Sequence, residues 1–357
     1  MKILYGICGI GNGHLFRQLP ILTHFSESGA TIVLFAYEVS YAFLQNFAQQ
    51  FPNVHVVEVA VPYYVGKTSG LDFERAETME MNQREFFSIN CRAMAFAEKI
   101  LGKPDLVISD YEPVSAQYAY AWDSPFVTID QQSKFLTGNF PESLEGCFYV
   151  DEVMRLRMFF PKATLRIACS FFTVDSNEEV KVVPPILREV VKNLKRSPQK
   201  GEILVYLSSQ QYRQQPIDDL LELFALFPDI RFHLFTPQEI TASGNVRVYT
   251  HGDSKFDSLL ERCEGIISTA GHSLLSEAMA LGIPVLALPL PLYEQQMNGK
   301  VIDEHRFGMC RRTLDLDALA EFLDSIDLFS RNIAEDQTVL LRGDILQQIL
   351  EHLEGKL

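Results

Sequence analysis

The chain has 357 residues, 47% of them hydrophobic and 22% charged, with a formal net charge of −15. The length exceeds one ordinary core and fits two domains; the composition is that of a soluble globular protein. The acidic balance argues against nucleic-acid binding, which draws on a basic surplus or stripe.

MKILYGICGI reads as a buried strand running into glycines, not as a signal peptide. Residues 2–7 form the strand, and a helix is expected from His14 to Ser28, stopped by Gly29. Strands follow at 31–38 and 54–59, helical spacing covers 63–100, and further strands fall at 103–110 and 124–130 around a helix over 113–122. This β-α-β rhythm predicts a parallel, doubly wound sheet. Residues 133–170 are rich in Phe and carry Arg155, Arg157, Lys162 and Arg166. Those cations fit either an amphipathic surface facing an anionic lipid or a solvated helix, and the solvated helix is preferred. The stretch 177–202, with Pro184, Pro185 and Pro198, is expected to join the two domains.

The rhythm restarts with strands at 202–208, 231–236, 265–269 and 283–290 and helices at 216–227, 254–263 and 273–281. The chain from Ala334 on is expected to be helical. The fold class is therefore α/β, two doubly wound domains facing each other across a cleft. The first is assigned to residues 1–165, the second to 166–335, and a helix near 336–357 is expected to pack back on the first. Six cysteines, at 8, 91, 147, 169, 263 and 310, show no CxxC or zinc spacing and suit reduced thiols in a cytoplasmic protein. No apolar run of 18 residues occurs.

Two glycine turns hold the candidate chemistry. Gly9, Gly11 and Gly13 follow the first strand, but His14 stands where the dinucleotide fingerprint has its last glycine. With Glu38 ending the second strand, an NAD-dependent oxidoreductase is one reading. The second turn, Thr269–His272, leads from a strand into a helix whose first N–H groups and dipole suit an anion. Glu277 lies one turn beyond Ser273 and faces the same side. Glu294, Gln295 and Asn298 offer the mixed donors and acceptors that sugar hydroxyls need. Each of these residues alone is also explained as an ordinary helix start or cap. Asp315-Leu-Asp317 has the form of a metal motif but reads as a helix start, and no metal is assigned.

The 269–299 block resembles the donor signature of GT-B nucleotide-sugar glycosyltransferases, both the UDP-glycosyltransferases and the lipid II N-acetylglucosaminyltransferases. Ser109–Pro113 and Val182–Arg188 resemble motifs of a little-characterised microbial branch of that superfamily. The resemblance implies that Glu277 binds the ribose. It implies that Gly271, His272, Ser273 and Leu274 hold the diphosphate, with Ser208 and Ser209 near the phosphates. Glu294, Gln295 and Asn298 would bind the donor sugar. Where relatives have a phosphate-contacting histidine this chain has Thr269, and His272, three residues on, is the candidate replacement.

In the first domain the resemblance makes His14 the base and Asp110 its orienting partner. Gly11, Gly13, Glu112 and Asp130 then line the acceptor side of the cleft, Glu112 and Asp130 as competing carboxylates. The implied reaction is an inverting, metal-independent sugar transfer from a UDP- or dTDP-linked donor to a hydroxyl acceptor, which is a glycan, a lipid-linked molecule or a small molecule. No cofactor is expected beyond the nucleotide sugar. A UDP-sugar epimerase or hydrolase, or a non-catalytic sugar-nucleotide binder, would share the fold and donor site.

Overall fold

Two parallel sheets, each flanked by helices, build the protein. The computed structural model describes residues 1–61, 66–67, 70–71, 83–208, 215–242 and 244–355. The first sheet has seven strands: β1 (Lys2–Ile7), β2 (Thr31–Ala36), β3 (Val54–Glu58), β4 (Leu106–Asp110), β5 (Phe126–Asp130), β6 (Leu165–Cys169) and β7 (Val180–Val183). They lie in the order β7-β6-β5-β4-β1-β2-β3, all parallel. The second sheet has six parallel strands: β8 (Glu202–Tyr206), β9 (Arg231–Phe235), β10 (Val246–Tyr249), β11 (Gly265–Ser268), β12 (Val285–Ala287) and β13 (Gly308–Cys310). Their order is β10-β9-β8-β11-β12-β13. The central strands β4, β5, β11 and β12 are buried along their whole length. Helices cover both faces, so these strands read as unbroken apolar runs.

Two expectations need correction, and a third, the helical spacing over 63–100, falls partly outside the described residues. The first sheet takes in β6 and β7, so a boundary at residues 165–166 cuts it, and the connection begins only after Val183. Arg166 obscured this strand. It is a cation in an apolar run, yet it is almost fully buried, bonded to Glu179 at 3.0 Å and to the carbonyl of Phe160. The chain from Ala334 on is helical only toward its end: the helix Leu316–Glu335 stops there, and the next runs Leu346–Glu354. Asp336 then turns the chain by accepting from Val339 N at 3.0 Å and Leu340 N at 2.8 Å. Within 63–100 the described helix is Gln83–Leu101.

Asp315 caps the helix 316–335 by accepting from Ala318 N at 2.8 Å, the helix-start role expected of it. Arg155 and Arg157 pair with Glu152 and Glu179. No described helix is long and apolar enough to cross a membrane.

The last helix, Leu346–Glu354, returns to the first sheet's side. Ile349, Leu350 and Leu353 share one apolar cluster with Leu22 and Phe25 of the helix Asn12–Glu27. The backbone of Phe171 and Thr173 bonds to Leu341 and Val339 on the way. The end of the chain is therefore part of the first unit's core. Leu353 has no exposed surface, so Leu353→Ala should cost about 2–5 kcal/mol, read as a lower urea midpoint with an unchanged slope.

Candidate active site

Strand order reverses once in each sheet, between β1 and β4 in the first and between β8 and β11 in the second. At such a point the connections leave to opposite faces and a crevice opens beyond the strand ends. Ile7 pairs in register with Asp110, and Cys8 N donates to Asp110 O at 3.0 Å. In the second sheet Tyr206 pairs with Ser268. The first junction brings His14 to Asp110, and at the second β8 and β11 end side by side.

His14 stands in the first turn of the helix Asn12–Glu27, and its Nδ1 lies 2.7 Å from Asp110 Oδ1. Asp110 is fully buried. It also accepts from Arg17 Nε at 3.0 Å, Arg17 Nη2 at 2.8 Å and Gln18 Nε2 at 2.6 Å. His14, Arg17 and Gln18 are spaced i, i+3, i+4, so one helix face serves one carboxylate. Arg17 Nη2 also approaches His14 Nδ1 at 3.1 Å. With Nδ1–H donating to the carboxylate, that approach is between two donors and is not a bond. The tautomer so fixed leaves Nε2 as the lone-pair atom.

The charges follow from these contacts. Burial would raise the Asp110 pKa, but Arg17 and His14 outweigh it and hold the carboxylate below its ordinary value. Burial would lower the His14 pKa; the Cys8 thiol and Asp110 outweigh it and raise it to about 10.

The first glycine turn is shaped for contact with the second unit. Gly11 has φ 75°, which only glycine adopts without strain. A Cβ on Gly13 would lie 2.6 Å from Ser273 Oγ, which donates to Gly13 O at 3.2 Å. Ser273 of the second unit therefore stands over Gly13, where a dinucleotide cradle would keep the approach to its glycines open.

Across this contact stands the helix His272–Leu281. No side chain caps it, and a Cβ on Gly271 would meet nothing within 4 Å. There is therefore open space beside Gly271 at the helix start. Ala270, just before it, holds φ 58°, strain of the kind that clusters at binding sites. Glu277 is held by a two-pronged bond from Arg188, at 2.7 and 2.8 Å. Burial raises the Glu277 pKa against the pull of that guanidinium. Arg188 also bonds Asp257 at 2.7 Å and lies over the rings of Phe16 and Phe256. It thus touches both units from the connection between them.

Glu294, Gln295 and Asn298 lie in the first turns of the helix Tyr293–Glu304, not on a loop. Gln295 Oε1 accepts from Leu290 N at 2.9 Å. Asn298 is fully buried, donates to Ala270 O at 3.0 Å and Glu294 Oε1 at 3.2 Å, and keeps an unpartnered Oδ1. It braces the 269–271 turn from behind. Ser208 Oγ is likewise buried without a partner; Ser209 lies outside the described residues.

Two proposed cleft carboxylates are occupied elsewhere. Glu112 accepts from Val114 N at 2.7 Å and Ser115 N at 2.8 Å, capping the helix Pro113–Trp122, and burial raises its pKa to about 7. Asp130 accepts from Ser133 N at 2.6 Å and Ser133 Oγ at 2.8 Å. Asp130 ends β5 and Glu112 stands two residues past β4, and a carboxylate at a strand end is as useful for capping the next turn as for facing a cleft. Sequence reasoning missed Arg17, whose i+3 spacing from His14 was its only signal. It gave Arg188 no role. It also missed His251, whose ring stacks on Tyr206 at 4.4 Å and 2°; an aromatic pair formed by two separate strand ends leaves no local pattern.

Comparison with known proteins agrees with this architecture. The model of glycosyl transferase family 1 matches residues 1–327. An uncharacterised glycosyltransferase of Methanosarcina acetivorans is 23% identical, with 99% of this chain and 96% of the relative covered. One from Methanosarcina mazei is 24% identical over the same shares. Among solved structures, the glycotransferase of kitacinnamycin superposes with a TM-score of 0.67 at 12% identity, covering 100% of this chain and 99% of its own. An Arabidopsis thaliana protein complexed with UDP-L-rhamnose gives 0.61 at 16%, covering 99% and 94%. With two Rossmann-like units of the GT-B fold, the chain belongs to glycosyl transferase family 1 and is a glycosyltransferase.

Proposed function

We propose that the protein transfers a sugar, with inversion, from a UDP- or dTDP-linked donor to a hydroxyl acceptor. The observation that carries this reading is the contact between the two switch points. His14, oriented by Asp110, stands one residue from Gly13, and Gly13 touches the uncapped helix start at Ser273. A base and a leaving-group site are thereby held side by side. Solved relatives bound to UDP and to UDP-L-rhamnose support the choice of nucleotide.

In the reaction, His14 Nε2 takes the proton of the acceptor hydroxyl as its oxygen bonds to the anomeric carbon. The bond from that carbon to the donor's phosphate oxygen breaks, and its electron pair leaves with the nucleoside diphosphate. One base and one displacement invert the anomeric centre. The N–H groups of residues 272–274 and the helix dipole meet the charge on the leaving group, so this scheme needs no metal. Glu277 holds the ribose hydroxyls, kept in place by Arg188. Asp110 stays ionised and fixes the imidazole's tautomer.

UDP should raise the melting temperature of the full chain, and Glu277→Ala should weaken UDP binding by about ten- to a hundredfold, the worth of hydrogen bonds to a charged group. Stabilisation by NAD alone would refute the nucleotide assignment. His14 works as a base only when deprotonated, and its pKa is raised to about 10. The value of kcat/KM should therefore climb from pH 7 toward 10. Asp110→Asn removes a charge that favours the imidazolium, so its limb should move down toward the ordinary histidine value of about 6.5. His14→Ala should bind donor but lose transfer.

A further inference from the structure

Both chain crossings between the units border one cavity. The connection after β7 passes it at Pro185 and Leu187, and the returning segment passes it at residues 340–344. The first unit adds Phe171, and the second adds Ser276, Met279 and Ala280 of the helix His272–Leu281. The cavity holds about 390 Å³, within the usual range of small-molecule sites, which favour such junctions between domains.

Its floor and its mouth differ. Phe171, Pro185, Ser276 and Met279 are buried and form the floor. Ser276 Oγ is turned to its own helix, donating to His272 O at 2.8 Å, so the floor is largely apolar. Ala280, Arg342 and Asp344 are exposed and, with Lys192, form the mouth. Lys192 is committed: its Nζ lies 2.8 Å from Asp344 Oδ2 and 3.5 Å from Glu189 Oε2. Arg342 donates to the carbonyl of Ile333, and no described carboxylate pairs with it. Lys192 and Arg342 stand against Asp344 alone in the lining, which leaves a positive excess at the mouth.

The cavity adjoins the Arg188–Glu277 pair without containing it. Leu187 lines the cavity, and Arg188, the next residue, bonds Glu277. Ser276 lines it as well, and Glu277 follows. Successive residues of a helix diverge by about 100°. A molecule in the cavity therefore touches the chain neighbours of both partners and neither the guanidinium nor the carboxylate.

We infer that this cavity is an effector site for a small aliphatic carboxylate. The apolar tail fills the floor, where removing its surface from water stabilises the complex. The carboxylate stays at the mouth and accepts from Arg342, whose planar fork suits it. Such a ligand pins Leu187 and Ser276, and so holds Arg188 against Glu277 in the geometry that receives ribose. Occupancy then tightens nucleotide binding, and the nucleotide tightens effector binding by the same factor. The coupling, but not the cavity, rests on the donor reading above.

The test is calorimetric titration of the full-length protein with octanoate. Octanol and octylamine carry the same tail without the negative charge, and acetate carries the charge without the tail. Octanoate should bind about tenfold or more tightly than each of the three. Ala280→Trp, which fills the mouth, should abolish that binding, and Arg342→Gln should reduce octanoate to the affinity of octanol. Both positions are exposed, and either variant decides the question if the other melts lower than wild type. With octanoate saturating, UDP should bind wild type about fivefold or more tightly, and Arg342→Gln as it does without octanoate. Equal affinity for octanoate and octanol, or octanoate binding untouched by the variants, overturns the site. Octanoate binding that leaves UDP affinity unchanged or lowers it overturns the effector role. If UDP fails to bind under either condition while the variants lose octanoate, the site stands and the donor reading falls. If UDP binds and octanoate does not, the donor reading stands and the site falls.

Discussion

A carboxylate without exposed surface stays ionised only if its surroundings supply the hydrogen bonds that water would have given. Asp110 is in that position, and Arg17, His14 and Gln18 supply them from one face of one helix. The arrangement depends on β1 and β4 being neighbours, because only then does the helix after β1 pass over the end of β4. Arg17 bears most of the neutralisation. This frees Asp110 to orient His14 without having to share a proton with it. The same pairing also ties the site to stability, since breaking it would strand either a buried acid or a buried guanidinium.

The second unit repeats the geometry with a different outcome. Its switch point lies between β8 and β11, and there the helix start is left uncapped while the surrounding side chains are braced from behind. Asn298 holds Ala270, Gln295 holds the backbone at Leu290, and Arg188 holds Glu277. A helix start without a side-chain cap, set among braced side chains, is what a preorganised anion site requires. Gly13 and Ser273 then set the spacing between the two crevices. A side chain at residue 13 would push them apart.

Most of the fold was legible because buried parallel strands are short apolar runs, and glycine turns and helix caps mark their ends. What escaped notice involved charge in unexpected places. Arg166 disguised β6. At the site, His14 with Asp110 could be read from two strand-end positions. Arg17 could not, because its meaning comes from burial, which a sequence does not display for a cation. Glu112 and Asp130 illustrate the converse: strand-end acids whose side chains close on the next turn instead of the cleft.

The contrast between global and local charge resolves one apparent conflict. A chain carrying −15 would repel a nucleotide sugar if its charge acted as one body. It does not, since exposed charges farther away than about 8 Å are largely screened at physiological ionic strength. The seam behaves differently. Arg17, Lys134 and Arg188 sit there in low dielectric with limited access for counterions, so their fields are weakly screened. Arg17 and Arg188 are committed to Asp110 and to Glu277 with Asp257. Lys134 is not committed to any acid. The positive potential at the seam is therefore set by these buried groups and not by the acidic exterior.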